Sequence, residues 1–250
     1  MVCLLPNGSQ LRMWSEGDEW VPNRLYWYGW RGYETGEADI FWARAQSARI
    51  TLDIGAHVGF YSLLAGHANP AGRVFGFEAF GPTAARFRRN LAMNSVRNVE
   101  VVEVAAGAEV GIAPFFHVPR GIPCSAGLAG DVLLPNQPDA ITTDVQVTTI
   151  DAFLAQRGLS GLSGVDLVKI DTEGSEPQVL EGMAETLKRD RPTVIAEVLG
   201  GRDREALLRH HLDPLGYAIQ IITPEGPRPR DEVDKETGAN FLFVPPTAPA

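Results

Sequence analysis

A chain of 250 residues, 44% hydrophobic and 21% charged, has ordinary globular composition, with length for one substantial core and no apolar run near the roughly 20 residues of a membrane helix. A formal charge of -9 and a pI near 5.1 give nucleic-acid phosphates no general electrostatic reason to approach. Cys3 and Cys124 form no CxxC pair, and MVCLLPNGSQ has neither a basic start nor a long apolar stretch, so no disulfide framework, zinc site or secretory leader is expected and the protein is read as cytoplasmic.

The first 48 residues are rich in aromatics, and residues 38–48 are compatible with a helix covering one sheet edge or the mouth of a site. Regular alternation begins at RITLDIGAHVG, a strand entering a glycine-containing turn, followed by a helix over 60–67 with Leu63 and Leu64 inward. RVFGFEAF is the second strand, Pro82 opens a helix to about Asn94, and VEVVEVAA is the third strand. Over 113–147 prolines and glycines interrupt every pattern, as expected of a lid or substrate loop. TTIDAFLAQRG then predicts a helix, VDLVKID a strand, and 175–188 one helix with a Ser175–Gln178 capping box and a core face of Val179, Leu180, Met183 and Leu187. TVIAEVL is a fifth strand, 204–212 a helix, and YAIQIIT and NFLFVP a closing pair. This order predicts an α/β architecture with an open, mostly parallel sheet covered on both faces. It divides the chain into a cap or extension over 1–48, a main domain over 49–245 and a disordered tail over 246–250.

Ligands of such sheets bind outside the carboxyl ends of the strands. There stand Asp53-Ile-Gly55-Ala-His57-Val-Gly59, whose glycines permit close backbone approach, and Glu78, 25 residues later, able to accept bonds from both ribose hydroxyls of an adenosine ligand. Ala105 and Ala106 offer small side chains beside a flat base. His57 is expected to contact a cofactor or cap a helix, His117 to face substrate, and His210–His211 to lie on the surface; the Trp and Tyr cluster from Trp20 to Tyr33 is core, a packing flap or an acceptor wall. Lys169 and Asp171 share one face of the fourth strand, where their pairing with each other or with Glu197 competes with catalysis: either group, when suitably desolvated, can take a proton from an attacking hydroxyl.

DIGAHVGFYS, FGFEAF and VKIDTEGSEPQVLEGM, in this order and spacing, resemble the FkbM-type methyltransferase family over about residues 50 to 200, with NFLFVP similar to its terminal strand. The resemblance implies a Rossmann-like class I methyltransferase fold: a mostly parallel, seven-stranded sheet with an antiparallel closing strand. It implies S-adenosylmethionine-dependent O-methylation of a small hydroxylated acceptor, of sugar or polyketide type. Asp53, Gly55, Gly59, Ser62 and Glu78 are carried over as cofactor positions, joined by His57, Tyr61, Ala105, Ala106 and Asp171; Asp171 and Glu173 become the acidic strand end near the methyl group, with Lys169 as the competing base. His57 stands where Asn is usual, and Ala79 where Pro is usual.

Three other readings remain. A nicotinamide-linked oxidoreductase would share the first loop and Glu78, but the spacing here is GxxxG and not GxGxxG. A non-catalytic adenosine-binding protein would not need the strand-end acids. A magnesium-assisted enzyme would draw on Asp171, Glu173 and Glu197; no metal is predicted.

Overall fold

Short β-branched and aromatic runs separated by Gly, Pro and Asn become strands, and the amphipathic segments between them become helices, because each can bury its apolar face only against the other. The computed structural model describes residues 1–17, 19–119, 121–123, 125–135, 137, 139–160, 164–199, 202–232 and 239–246. Cys124 and the expected tail beyond Pro246 lie outside the described residues.

The chain opens with the antiparallel pair β1 (Val2–Leu4) and β2 (Gln10–Arg12), then α1 (Trp20–Tyr28) and α2 (Glu37–Ala45). β3 (Ile50–Ile54), α3 (Phe60–Ala68), β4 (Arg73–Phe77), α4 (Gly81–Met93) and β5 (Val99–Val102) alternate, followed by β6 (Ala105–Ala106), β7 (Gly111–His117), α5 (Gly130–Leu133) and β8 (Ile141–Thr148). α6 (Ile150–Gln156), β9 (Val165–Ile170), α7 (Glu176–Glu181), α8 (Ala184–Asp190), β10 (Thr193–Val198), α9 (Arg202–Leu212), β11 (Ala218–Thr223), β12 (Gly226–Pro229) and β13 (Ala239–Val244) complete it.

The central sheet has the order β12-β11-β13-β10-β9-β3-β4-β5. β5, β4, β3, β9 and β10 run parallel, and β13 runs antiparallel to both β10 and β11. The seven expected strands, the antiparallel closing strand β13 among them, are present, and the short β12 adds an eighth at the edge. Strand alternation sends Ile50, Leu52, Ile54, Phe75 and Phe77 into the core under α6 to α9, while Val74, Leu167 and Ile195 pack under α2 and α3. Asp53 and Lys169 are register partners in the middle of the sheet. Among the described residues no helix is long and apolar enough to cross a membrane.

Four segments differ from expectation. The stretch 113–147 begins and ends in strands: β7 and β8 pair from Gly111↔Val147 to His117↔Ile141, and Pro114 is tolerated because β7 is an edge strand of the sheet β6-β8-β7. VEVVEVAA splits, its first half joining the central sheet as β5 and Ala105–Ala106 pairing with β8. The helix expected over 175–188 is two helices, and the capping box is absent, since the Ser175 side chain makes no cap bond. Asp151, at the start of α6, instead accepts bonds from the Glu185 and Thr186 backbone N–H groups at 2.9 Å and caps α8. Finally, α2 lies beside α3 on the sheet face, with Phe41 against Tyr61 at 4.8 Å between ring centres, so that of the two placements expected for 38–48, a sheet edge or the mouth of a site, the first does not hold.

Candidate active site

The turn after β3 lies directly against the end of β9. Gly55 has φ 82, and a Cβ there would collide with the Asp171 carbonyl oxygen, so this position admits only glycine. Asp53 is buried below the turn, where Ser62 on α3 donates to its carboxylate at 2.6 Å; burial pushes its pKa up to about 6 despite that bond. Gly59 precedes α3, whose first turn carries Tyr61. His57 sits in the left-handed region at φ 50; its Nε2 lies 2.9 Å from the Pro123 carbonyl and its backbone N–H bonds to Glu78. Burial holds its imidazole below the ordinary histidine value.

Glu78 follows β4 and is 8% exposed, its Oε1 accepting from the Phe80 backbone N–H at 2.8 Å. Burial dominates over that bond and pushes its pKa up to about 7. The Thr83 hydroxyl, buried in the same cavity wall, has no hydrogen-bond partner among the described residues.

The ends of β9 and β10 hold the densest charge. Lys169 is fully buried, with its Nζ 3.1 Å from Glu37 Oε1, 3.2 Å from Asp171 Oδ2 and 4.0 Å from Glu34 Oε2, and 5.3 Å from the centre of the Tyr61 ring. Burial opposes its charge, but Asp171, Glu37 and Glu34 more than offset that and hold the ammonium protonated. Two of these partners come from the N-terminal segment, which the strand-pairing alternatives of Asp171 and Glu197 did not include. Glu34 accepts a bond from Tyr61 Oη at 2.6 Å, and burial together with the Glu37 charge raises its pKa well above the ordinary range.

Asp171 is drawn upward by burial, yet Lys169 and a hydrogen bond to Glu197 leave it below the ordinary carboxylate value. Burial and the Asp171 charge push Glu197 strongly up, so the proton of this pair sits on Glu197 and is donated to Asp171. Glu173, at φ 56, is raised to about 7 by burial and by the Asp171 charge. Its backbone is shaped by Glu176, whose Oε1 accepts from the Thr172 N–H and hydroxyl at 2.9 Å and from the Gly174 N–H at 3.0 Å. Asp171, Glu173 and Glu197 bring one oxygen each within 4.8 Å of the others.

A cavity of about 130 Å³ joins these groups, lined by Gly55, His57, Glu78, Ala105, Ala106, Asp171 and Glu173 of the expected site, together with Glu197. Asp53, Gly59, Tyr61, Ser62 and Lys169 do not line it; they lie behind the loop and support it. Tyr33, the end of the aromatic cluster for which an acceptor wall was one of the alternatives, also lines it, as does Phe80, which closes the FGFEAF motif but was given no role; Glu34, Thr83 and Phe115 line it too and were not singled out, because none belongs to a motif. Pro123, Ala126, Gly127 and Leu128 close one side, bringing the apex of the β7–β8 insertion onto the cavity. His117 does not face it: Nδ1 bonds to the Val118 carbonyl at 2.8 Å, Nε2 to Thr143 Oγ1 at 2.9 Å, and the ring packs behind Phe80. An outer pocket of about 330 Å³, with Trp20 and Arg24 among its walls, shares Tyr33, Glu34, His57, Glu173 and Glu197 with the inner cavity. Among the described residues, Glu34, His57, Glu173 and Arg191 are the non-glycine residues at positive φ, and the first three stand at this junction.

The strand order, the glycine turn after the first parallel strand and the acid after the second define a Rossmann-like class I methyltransferase fold. Residues 53–219 match the Methyltransferase FkbM domain, and the chain belongs to that family of methyltransferases. It is 25% identical over 186 residues to Methyltransferase 1 of Beauveria bassiana, covering 70% of this chain and 74% of that protein. It is 28% identical over 208 residues to the AMB antimetabolite synthetase AmbE of Pseudomonas aeruginosa, covering 69% of this chain but only 10% of the synthetase. The solved FkbM methyltransferase of Methylobacillus flagellatus superposes with a TM-score of 0.50 and 18% identity, covering 79% of this chain and 44% of that one.

Proposed function

We propose that the protein transfers a methyl group from S-adenosylmethionine to a hydroxyl of a small molecule of sugar or polyketide type. The observation that carries this reading is the donor set of the inner cavity: a buried carboxylate, Glu78, and a buried hydroxyl without a partner among the described residues, Thr83, stand in one chamber with the small walls Ala105 and Ala106. These residues fit an adenosine group, with Glu78 accepting from the ribose hydroxyls and the backbone at Gly55 admitting close approach. When bound, S-adenosylmethionine supplies an electrophilic methyl group on a sulfonium.

Glu173 is the group we assign to take the proton of the acceptor hydroxyl, since its pKa of about 7 suits proton transfer near neutral pH and it lines both pockets. Lys169, held as a cation, has no lone pair to accept a proton; it fixes Asp171, whose charge raises Glu173. Asp171 is a positioning residue in this reading.

Thermal melting tests the assignment. S-adenosylhomocysteine at 100 times its dissociation constant should add roughly 2.7 kcal/mol to stability by mass action. A midpoint that rises with NAD and ignores S-adenosylhomocysteine would overturn it.

A further inference from the structure

The outer pocket carries groups that methyl transfer by itself leaves unused. Trp20, 56% exposed, stands at its rim on α1. One turn later Arg24 lies over two rings, 5.5 Å from the centre of Trp20 and 4.6 Å from that of Tyr28, and its Nε donates to the Gly32 carbonyl at 3.0 Å. Arg24 makes no ion pair among the described residues, which is equally true of Arg44, Arg89 and Arg191; what distinguishes it is that it lines the outer pocket while stacked on two rings. A guanidinium held flat by aromatic rings, its remaining N–H groups making no hydrogen bond among the described residues, is arranged to take a planar or tetrahedral anion by a forked bond.

The floor of the same pocket has the opposite character. Glu173 and Glu197 stand there beside Asp171, which is charged, so an anion is disfavoured at the floor while a neutral hydroxyl is accepted. A ligand satisfying both ends carries its anionic group away from its reacting hydroxyl, with a ring between them against the indole face of Trp20.

We propose that the outer pocket is the acceptor site and that it selects a hydroxylated ring compound bearing a carboxylate or phosphate: Arg24 holds the anion, Trp20 the ring, and the junction of Glu34, His57 and Glu173 receives the hydroxyl. This assignment rests on the methyl-transfer reading for the word acceptor, though not for the binding itself.

Titration of the full chain with glucuronate, glucose 6-phosphate and neutral methyl glucoside, with and without saturating S-adenosylhomocysteine, tests it. Indole N–H resonances are followed by NMR, the Trp20 signal being assigned with Trp20→Phe. At least one of the two anions should bind roughly 10- to 100-fold more tightly than the glucoside and shift the Trp20 resonance; which of them does so separates a uronate-like acceptor from a phosphorylated one. Arg24→Gln should abolish that preference while leaving S-adenosylhomocysteine affinity unchanged, and Arg24→Lys should restore only part of it. Equal affinity for anions and glucoside, a preference that survives Arg24→Gln, or no binding of either anion would overturn the proposal. If the anions bind through Arg24 but S-adenosylhomocysteine does not bind, the pocket stands and the methyl-transfer reading falls.

Discussion

Lys169 is a charge in the middle of a parallel sheet, and three carboxylates account for its being there. Lys169→Met removes the cation and leaves Glu37, 1% exposed, without its counter-charge, so unfolding free energy in urea should fall by about 3 to 5 kcal/mol. Adding Glu37→Gln to that variant should recover part of the loss, because it removes the stranded charge; no recovery would mean that Lys169 acts through packing alone. At the cavity, Glu78 and Glu173 should fail differently. Glu78→Ala should weaken S-adenosylhomocysteine binding by about 1.5 to 3 kcal/mol through loss of a charge-assisted acceptor. Glu173→Gln should keep that affinity while lowering turnover by roughly 100- to 10,000-fold if it takes the hydroxyl proton. A Glu173→Gln enzyme of full turnover would return the role to Asp171.

Among the elements, the break between α7 and α8 is a packing event that the periodicity of 175–188 hides. Gly182 lies so close to the Gly107 backbone that a Cβ would run into its carbonyl oxygen, and the Gly182 carbonyl accepts a bond from the Asp151 N–H at 3.1 Å. Gly182→Ala should therefore destabilise the fold by about 1 to 3 kcal/mol, although alanine is the better helix former. A stabilised Gly182→Ala protein in thermal melting would show that the two helices are separated by sequence preference and not by this contact. The same contact ties α7 to the strand pair β6–β8, from which the insertion over the cavity departs.

Over the whole molecule, several carboxyls share one direction of shift. Burial raises Asp53 from 3.8 to about 6, Glu78 from 4.5 to about 7 and Glu173 from 4.5 to about 7. Each binds its proton at higher pH in the folded protein than in the unfolded chain, so across this window the folded state holds more protons and stability falls as pH rises. Asp171, held below its ordinary 3.8, acts in the opposite sense, its contribution being lost only as pH falls through that acidic range. The ligand-free protein should melt at a higher temperature near pH 5 than near pH 8, and Glu78→Gln should flatten the difference. A midpoint that instead climbs steadily from pH 5 to pH 8 would contradict the burial of these carboxyls.

The elements around the sheet were legible because hydrophobic period and turn residues act over a few positions: RITLDI, RVFGF and VDLVKI became β3, β4 and β9 within a residue or two. Asp53, Gly55, Glu78, Asp171 and Glu173 were legible because strand ends and glycine turns place them, and that placement is local. What only tertiary structure decided depends on which distant segments meet. Glu34 and Glu37 reach Lys169 because α2 packs beside α3, and nothing in ETGEADIF marks them as partners of a residue over 130 positions away. Thr83 and Phe115 line the cavity because α4 and β7 converge on it. The division of labour among the acids was likewise invisible, since a carboxyl's proton affinity is set by burial and neighbouring charge, quantities that exist only once the chain has folded.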